Sequence, residues 1–312
     1  MKKLLSVVVV GSALLAGCGA GSNALTAVVD GHEVTVGDVE ALLFGDNSTV
    51  DRATFARNLG FKIQFIVITD AASDQFGYSP SEDEVAERAE SLYNDLKTGE
   101  QTLEEFLEER SITQEMLTEV ARQGLISEFV REEFSGDVTA PTEDEITEAR
   151  QFAIAQLTNG CISHILVETE AEARDVLARL DQGEVFADLA TELSTDLGSG
   201  ANGGALGCST FEQWVAPFRD ASLEATVGEV VAEPVESQFG FHVILVTDRV
   251  DPEVDTIPTT EEITASLEAR SLETLFSDWF FAAIETAEVT VEPEYGTWQS
   301  GPEPGVVPPT EE

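Results

Sequence analysis

Ser163-His164-Ile165-Leu166-Val167 and, further along the chain, Gln238-Phe239-Gly240-Phe241-His242-Val243-Ile244 are the two stretches whose reading decides this fold. Each is rich in β-branched and aromatic residues and bounded by turn formers, so each reads as a strand. The chain has three histidines, and two of them, His164 and His242, stand on these two segments. Their placement suggests a pair on neighbouring strands; two unrelated histidines that each satisfy backbone groups fit the bare sequence as well. Between the strands lie a helix over about Glu170–Gly183 and a second carrying Phe186-Ala187-Asp188-Leu189-Ala190. Leu193-Ser194-Thr195-Asp196, Gly203-Gly204-Ala205-Leu206-Gly207 and Gln213-Trp214-Val215-Ala216-Pro217-Phe218 follow.

Outward from this centre the pattern turns helical. Asp30-Gly31 sits between Leu25–Val29 and His32–Val36, a hairpin signal. Thr35 with Asp38 then opens a helix. Residues 52–135 carry helical periods with start signals at Ser79-Pro80 with Glu82 and at Thr102 with Glu105, and Thr142 with Glu145 caps a helix running towards Ala155. The glutamate runs read as solvated faces. Beyond Arg249, Asp251-Pro252 and Ile257-Pro258 form a linker. A long helix follows with Ile263, Leu267, Leu272, Leu275, Phe276, Trp279, Phe280 and Ile284, an apolar stripe that needs a partner, most economically the N-terminal helices. Val289-Thr290-Val291 is a last strand, and 299–312 read as a disordered tail.

The fold class expected is α+β: a small antiparallel sheet with surrounding helices at 156–250, inserted between the N-terminal (25–155) and C-terminal (251–298) segments of a mainly helical domain. Repeated strand–helix alternation, which a solute-binding protein with large α/β lobes needs, is missing.

His-Ile-Leu on the first strand, Ser-x-Asp, Gly-Gly-x-Leu-Gly and the closing Gln-Phe-Gly-Phe-His stand in the order of the parvulin family of peptidyl-prolyl cis/trans isomerases. The hairpin-and-helix module before them and the helix returning after them resemble the SurA/PrsA family of extracytoplasmic foldases. The resemblance implies that His164 and His242 lie side by side under the active site and that Ser237 joins their network. It places Asp196 beside the rotating carbonyl, where an aspartate offers electrostatics and no cysteine nucleophile. Leu206, Gln213, Trp214, Phe218 and Phe239 match substrate-binding positions around the proline ring. Two positions depart from the family pattern: Trp214 replaces a methionine or other flexible apolar residue and narrows the pocket, and Ala205 replaces a frequent acid.

The N-terminus and the composition set the compartment. Lys2 and Lys3 precede an apolar run that ends at Leu15-Ala16-Gly17-Cys18, a signal peptide over 1–17 with a lipobox. Lipidation at Cys18, implied by that resemblance, would tether residues 18–24 to the membrane on its extracytoplasmic side, facing cell wall or periplasm. Sixty acidic residues against 16 basic ones, a net charge of −44, exclude nucleic acid as a partner. Cys161 and Cys208 are an even pair in an oxidising compartment, read here as a disulfide in preference to two buried thiols. Without neighbouring histidines at ligand spacing they make no zinc site, and neither metal nor cofactor is expected. The partners expected are unfolded or partly folded exported polypeptides containing X-Pro bonds, and the alternative function is a lipid-anchored holdase with a weakly active or inactive isomerase domain.

Overall fold

Asp30-Gly31 turns the chain between β1 (Leu25–Val29) and β2 (His32–Thr35), which pair antiparallel with Val29 opposite His32. Thr35 and Asp38 close a capping box at the start of α1 (Val36–Glu40). The structure, a computed structural model, describes residues 22–45 and 50–309. The signal segment and Cys18 lie outside the described residues. Then follow α2 (Arg52–Phe76), α3 (Glu82–Leu96), α4 (Leu103–Arg110) and α5 (Gln114–Ser135). Thr102 and Glu105 open α4. By contrast α3 begins later than Ser79-Pro80 suggests, because the cap is Ser81: its Oγ accepts from the Glu84 N–H while the Glu84 carboxylate accepts from the Ser81 N–H.

The middle of the chain contains α6 (Glu143–Leu157), β3 (Asn159–Val167), α7 (Glu170–Asp181), α8 (Phe186–Leu193) and α9 (Leu197–Gly200). It continues with β4 (Ala205–Thr210), α10 (Ala216–Glu224), β5 (Val235–Ser237) and β6 (Gly240–Val250). The last elements are α11 (Thr260–Thr286), β7 (Val289–Val291), β8 (Thr297–Gln299) and β9 (Gly305–Val307). The strands form sheets in the orders β2-β1-β7, β4-β3-β6-β5 and β8-β9. Among the described residues no helix is long and apolar enough to cross a membrane.

The chain divides into two compact units. The first runs to Asp137 and resumes at Leu272. β7 returns to pair with β1, and Leu59 and Ile63 of α2 pack with Val29, Val34 and Ile284 in one fully buried cluster. The later part of the α11 stripe is covered within this unit, whereas Ile263 and Leu267 belong to the second: Trp279 packs on Ile68, Ala72, Ile126 and Val130 and donates its indole N–H to Gln75. Each such aliphatic side chain contributes about 1.5–3 kcal/mol by burial.

The expectation of a disordered tail is corrected for its first part, since Gly305–Val307 pair with Thr297–Gln299. Gly60 on α2 gives the physical reason. A Cβ there would lie 3.1 Å from the Val306 nitrogen and 3.3 Å from the Gly305 Cα, so a helix residue without a side chain admits the tail backbone, and Val306 is buried against it.

The second unit is Val138–Ser271, wider than 156–250 because it takes in α6 and the first part of α11. One face of its sheet buries Ile165, Val167 and Val243 against Ala173 and Val176 of α7 and Leu189 and Ala190 of α8. The opposite face buries Ile162, Ile244 and Val246 against Ala155 of α6, Phe211 and Phe218.

Candidate active site

The histidines meet because of strand register. On the antiparallel β3/β6 pair, His164 lies opposite Ile244 and Leu166 opposite His242. Opposed residues share a face and side chains alternate, so His164 and His242 are diagonal neighbours on one face. Both are buried. Their rings stack with centroids 5.3 Å apart, and Phe218 from α10 meets each edge-on.

Asp196 reaches the pair from the loop before α9. Ser194 Oγ accepts from the Leu166 N–H and Thr195 N–H donates to the Leu166 carbonyl, which fastens this loop to β3. Asp196 caps α9: Oδ1 accepts from the N–H groups of Gly198 and Ser199, and Oδ2 lies 2.9 Å from His164 Nε2. Ser199 Oγ donates to Asp196 Oδ2 at 2.5 Å and lies 3.0 Å from His164 Nε2. These bonds, from Ser199 first and His164 next, hold the Asp196 carboxyl down at about 2, so it is a carboxylate at any physiological pH. On the other side Ser237 Oγ lies 2.7 Å from His242 Nε2 and accepts from the Phe239 N–H.

Counting donors orders the protons. Burial first, and the neighbouring His164 second, push His242 down to about 4, so it is neutral at pH 7 and has a single N–H. The two Nδ1 atoms are 3.1 Å apart and share one proton. In the tautomer in which His164 carries its one proton on Nε2 and donates it to the carboxylate, its Nδ1 accepts from His242 Nδ1–H, and His242 Nε2 accepts from Ser237 O–H. Donation then runs in one direction, Phe239 N–H to Ser237 to His242 to His164 to Asp196, and each group is satisfied.

This chain forms the floor of a cavity of about 470 Å³ lined by His164, Leu166, Asp196, Leu206, Gln213, Trp214, Val215, Phe218, Phe239 and His242. The sequence-selected residues are therefore together, with Ser237 behind His242. The Trp214 indole lines the hollow and leaves it open. Gln213 is exposed and donates to Ser209 Oγ and the Thr210 carbonyl. Phe239 is 61% exposed and forms a lip. Gly204 allows the sheet to close here: it has φ +83°, and a Cβ would overlap the His164 carbonyl oxygen, to whose residue's N–H the Gly204 carbonyl is bonded. Cys161 and Cys208, opposite each other on β3 and β4, are joined by a disulfide.

Sequence reasoning missed Ser199, Leu166 and Val215. Ser199 stands three residues after Asp196 in a short helical turn, a spacing that signals a side chain returning to its cap, yet helix α9 is too short to be read from periodicity. Among the described residues no group of His, Cys, Asp and Glu is arranged to hold a metal.

Residues 141–250 match the profile of the PPIC-type PPIASE domain. The foldase protein PrsA of Halalkalibacterium halodurans is 31% identical over 236 residues, 74% of this chain and 67% of the relative. That of Clostridium tetani is 35% identical over 158 residues, 50% of this chain and 43% of the relative. A solved PrsA of Bacillus cereus has 21% identity and a TM-score of 0.35, covering 88% of this chain and 96% of that one. Given the extent of the first match and the isomerase profile lying over the histidine cavity, this chain belongs to the PrsA foldase family and carries a PPIC-type peptidyl-prolyl isomerase domain.

Proposed function

We propose that the chain catalyses cis/trans isomerisation of X-Pro bonds in unfolded exported polypeptides, with the cavity between β3, α9 and α10 as its site. The observation that carries this reading is the hydrogen-bonded chain from Ser237 to Asp196 lying beneath an apolar-walled hollow of about 470 Å³, room for a prolyl ring and its flanking backbone. Leu206, Trp214 and Phe218 grip the pyrrolidine ring, Phe239 closes one wall, and Gln213 contacts the flanking backbone.

The barrier to rotation is about 18–20 kcal/mol and needs no covalent step. In the planar amide the carbonyl oxygen carries extra negative charge; in the twisted amide the nitrogen lone pair is localised and the oxygen loses that charge. An Asp196 carboxylate beside the oxygen repels the planar form more than the twisted one, and the apolar walls remove the water that favours the planar form. His164, His242 and Ser237 hold the carboxylate in place. Cys18 anchors the chain at the membrane on its extracytoplasmic side, and the first unit, residues 25–137 with 272–298, holds unfolded clients as a chaperone body.

Proline-limited refolding tests the reading. The native chain accelerates it, while His164→Ala, His242→Ala and Asp196→Ala each lower the rate constant by tenfold or more, about 1.4 kcal/mol at the transition state. Equal rates in all four, with aggregation still suppressed, would leave a holding factor in place of an isomerase.

A further inference from the structure

Phe218 and Arg219 are consecutive on α10 and serve different places. Phe218 lines the histidine cavity, whereas Arg219 borders a second groove in the same unit, of about 830 Å³, between α6, α10, the Asp255–Pro258 linker and the start of α11. Arg219 is 5% exposed. Its Nε donates to Asp220 at 2.7 Å, and its Nη2 is buried without an acceptor. The guanidinium faces the Phe152 ring at 5.8 Å. A buried guanidinium whose Nη2 has no acceptor is costly unless an acceptor arrives from outside the fold.

The groove restricts what can supply them. Phe152 is 42% exposed, and Ile257, Pro258 and Leu267 add apolar surface. Glu145, Glu148, Asp255 and Glu262 stand around it, four carboxylates against the cations of Arg219 and Arg270. Glu145 and Glu262 are oriented by the caps of Thr142 and Thr259, whose hydrogen bonds lower their carboxyls and keep them ionised. An anionic ligand is repelled by this rim and by the chain's net charge of −44. A neutral carbonyl with apolar side chains and flanking cations is complementary to it.

We infer that this groove is a second polypeptide-binding site, in which a backbone carbonyl accepts from Arg219, an apolar side chain packs on Phe152, and lysine or arginine side chains meet the acidic rim. It rests on the reading of unfolded polypeptides as clients and adds a holding point on the helix that also walls the prolyl cavity. A client held there presents its prolines to the neighbouring site at raised local concentration.

The probe is a fluorescent, proline-free peptide of leucine, phenylalanine, serine and lysine, titrated by anisotropy against the full chain, beside a counterpart with glutamate in place of lysine. The lysine peptide binds at least tenfold more tightly than the glutamate peptide, and Phe152→Ser and Arg219→Met each weaken it at least tenfold. Phe152→Ser leaves cis/trans exchange of a short proline peptide unchanged, which separates this site from the isomerase reading. Phe152 is exposed, so its replacement keeps the fold even where Arg219→Met does not. Native affinity in Phe152→Ser, equal binding of the two peptides, or displacement of the probe by the short proline peptide overturns the inference.

Discussion

Acidification probes the buried histidine pair without any mutation. Unfolded, His242 takes up a proton as pH falls below 6.5; folded, it does so only near 4. Between these values the unfolded chain binds more protons, so stability falls with falling pH. The window spans roughly 2.5 pH units at about 1.4 kcal/mol each, or ~3 kcal/mol. Asp196 does not contribute there: with its carboxyl lowered from 3.8 to about 2, its stabilisation is present above 3.8 and lost only as pH falls from there to 2. Because the chain has two units, one global transition is not assured, and hydrogen-exchange protection of the β3 and β6 amides is the suitable assay. From pH 6.5 to 4 the native chain should lose about 3 kcal/mol more than His242→Gln, whose side chain keeps a donor and an acceptor but does not titrate. Parallel curves for the two proteins would refute the claim that His242 is held neutral by burial.

Ser237→Ala leaves His242 Nε2 without a partner, with an expected loss of about 1–3 kcal/mol in denaturant unfolding and a slower isomerase, whereas Ser237→Thr restores both. Gly204→Ala forces a Cβ into the His164 carbonyl at φ +83°, so circular dichroism and expression should report a unit that does not fold. Replacing Cys161 and Cys208 by serine opens a loop with a sequence separation of 47 and costs about 4 kcal/mol in the chain-entropy model, read as a lower urea midpoint with activity intact at low temperature.

What the sequence disclosed followed the range of its signals. Alternating β-rich segments showed β3 and β6, and two of three histidines on them suggested a pair before any coordinates. Side-chain-to-backbone caps spaced by three residues marked the starts of α1, α4 and α6, because that chemistry is local. Ser81 was passed over for Ser79 since both precede a glutamate at cap spacing and only one can be the half-in residue. The β8–β9 hairpin was illegible for another reason: its stability comes from contact with Gly60, far away in the chain, while its own composition resembles a solvated tail. Ser199 was hidden likewise, its role depending on how α9 folds back onto Asp196. The second groove left no sequence signal, as Arg219 reads as an ordinary surface residue of an amphipathic helix.

Exchange NMR on a short peptide with one X-Pro bond, added to the full chain, measures the central claim without coupling to folding. Cross-peaks between cis and trans signals should grow with catalytic amounts of the native protein, and the peptide's proline resonances should show contacts to Leu206, Trp214 and Phe218. Exchange no faster than in buffer, or proline contacts only elsewhere on the chain, would contradict the account.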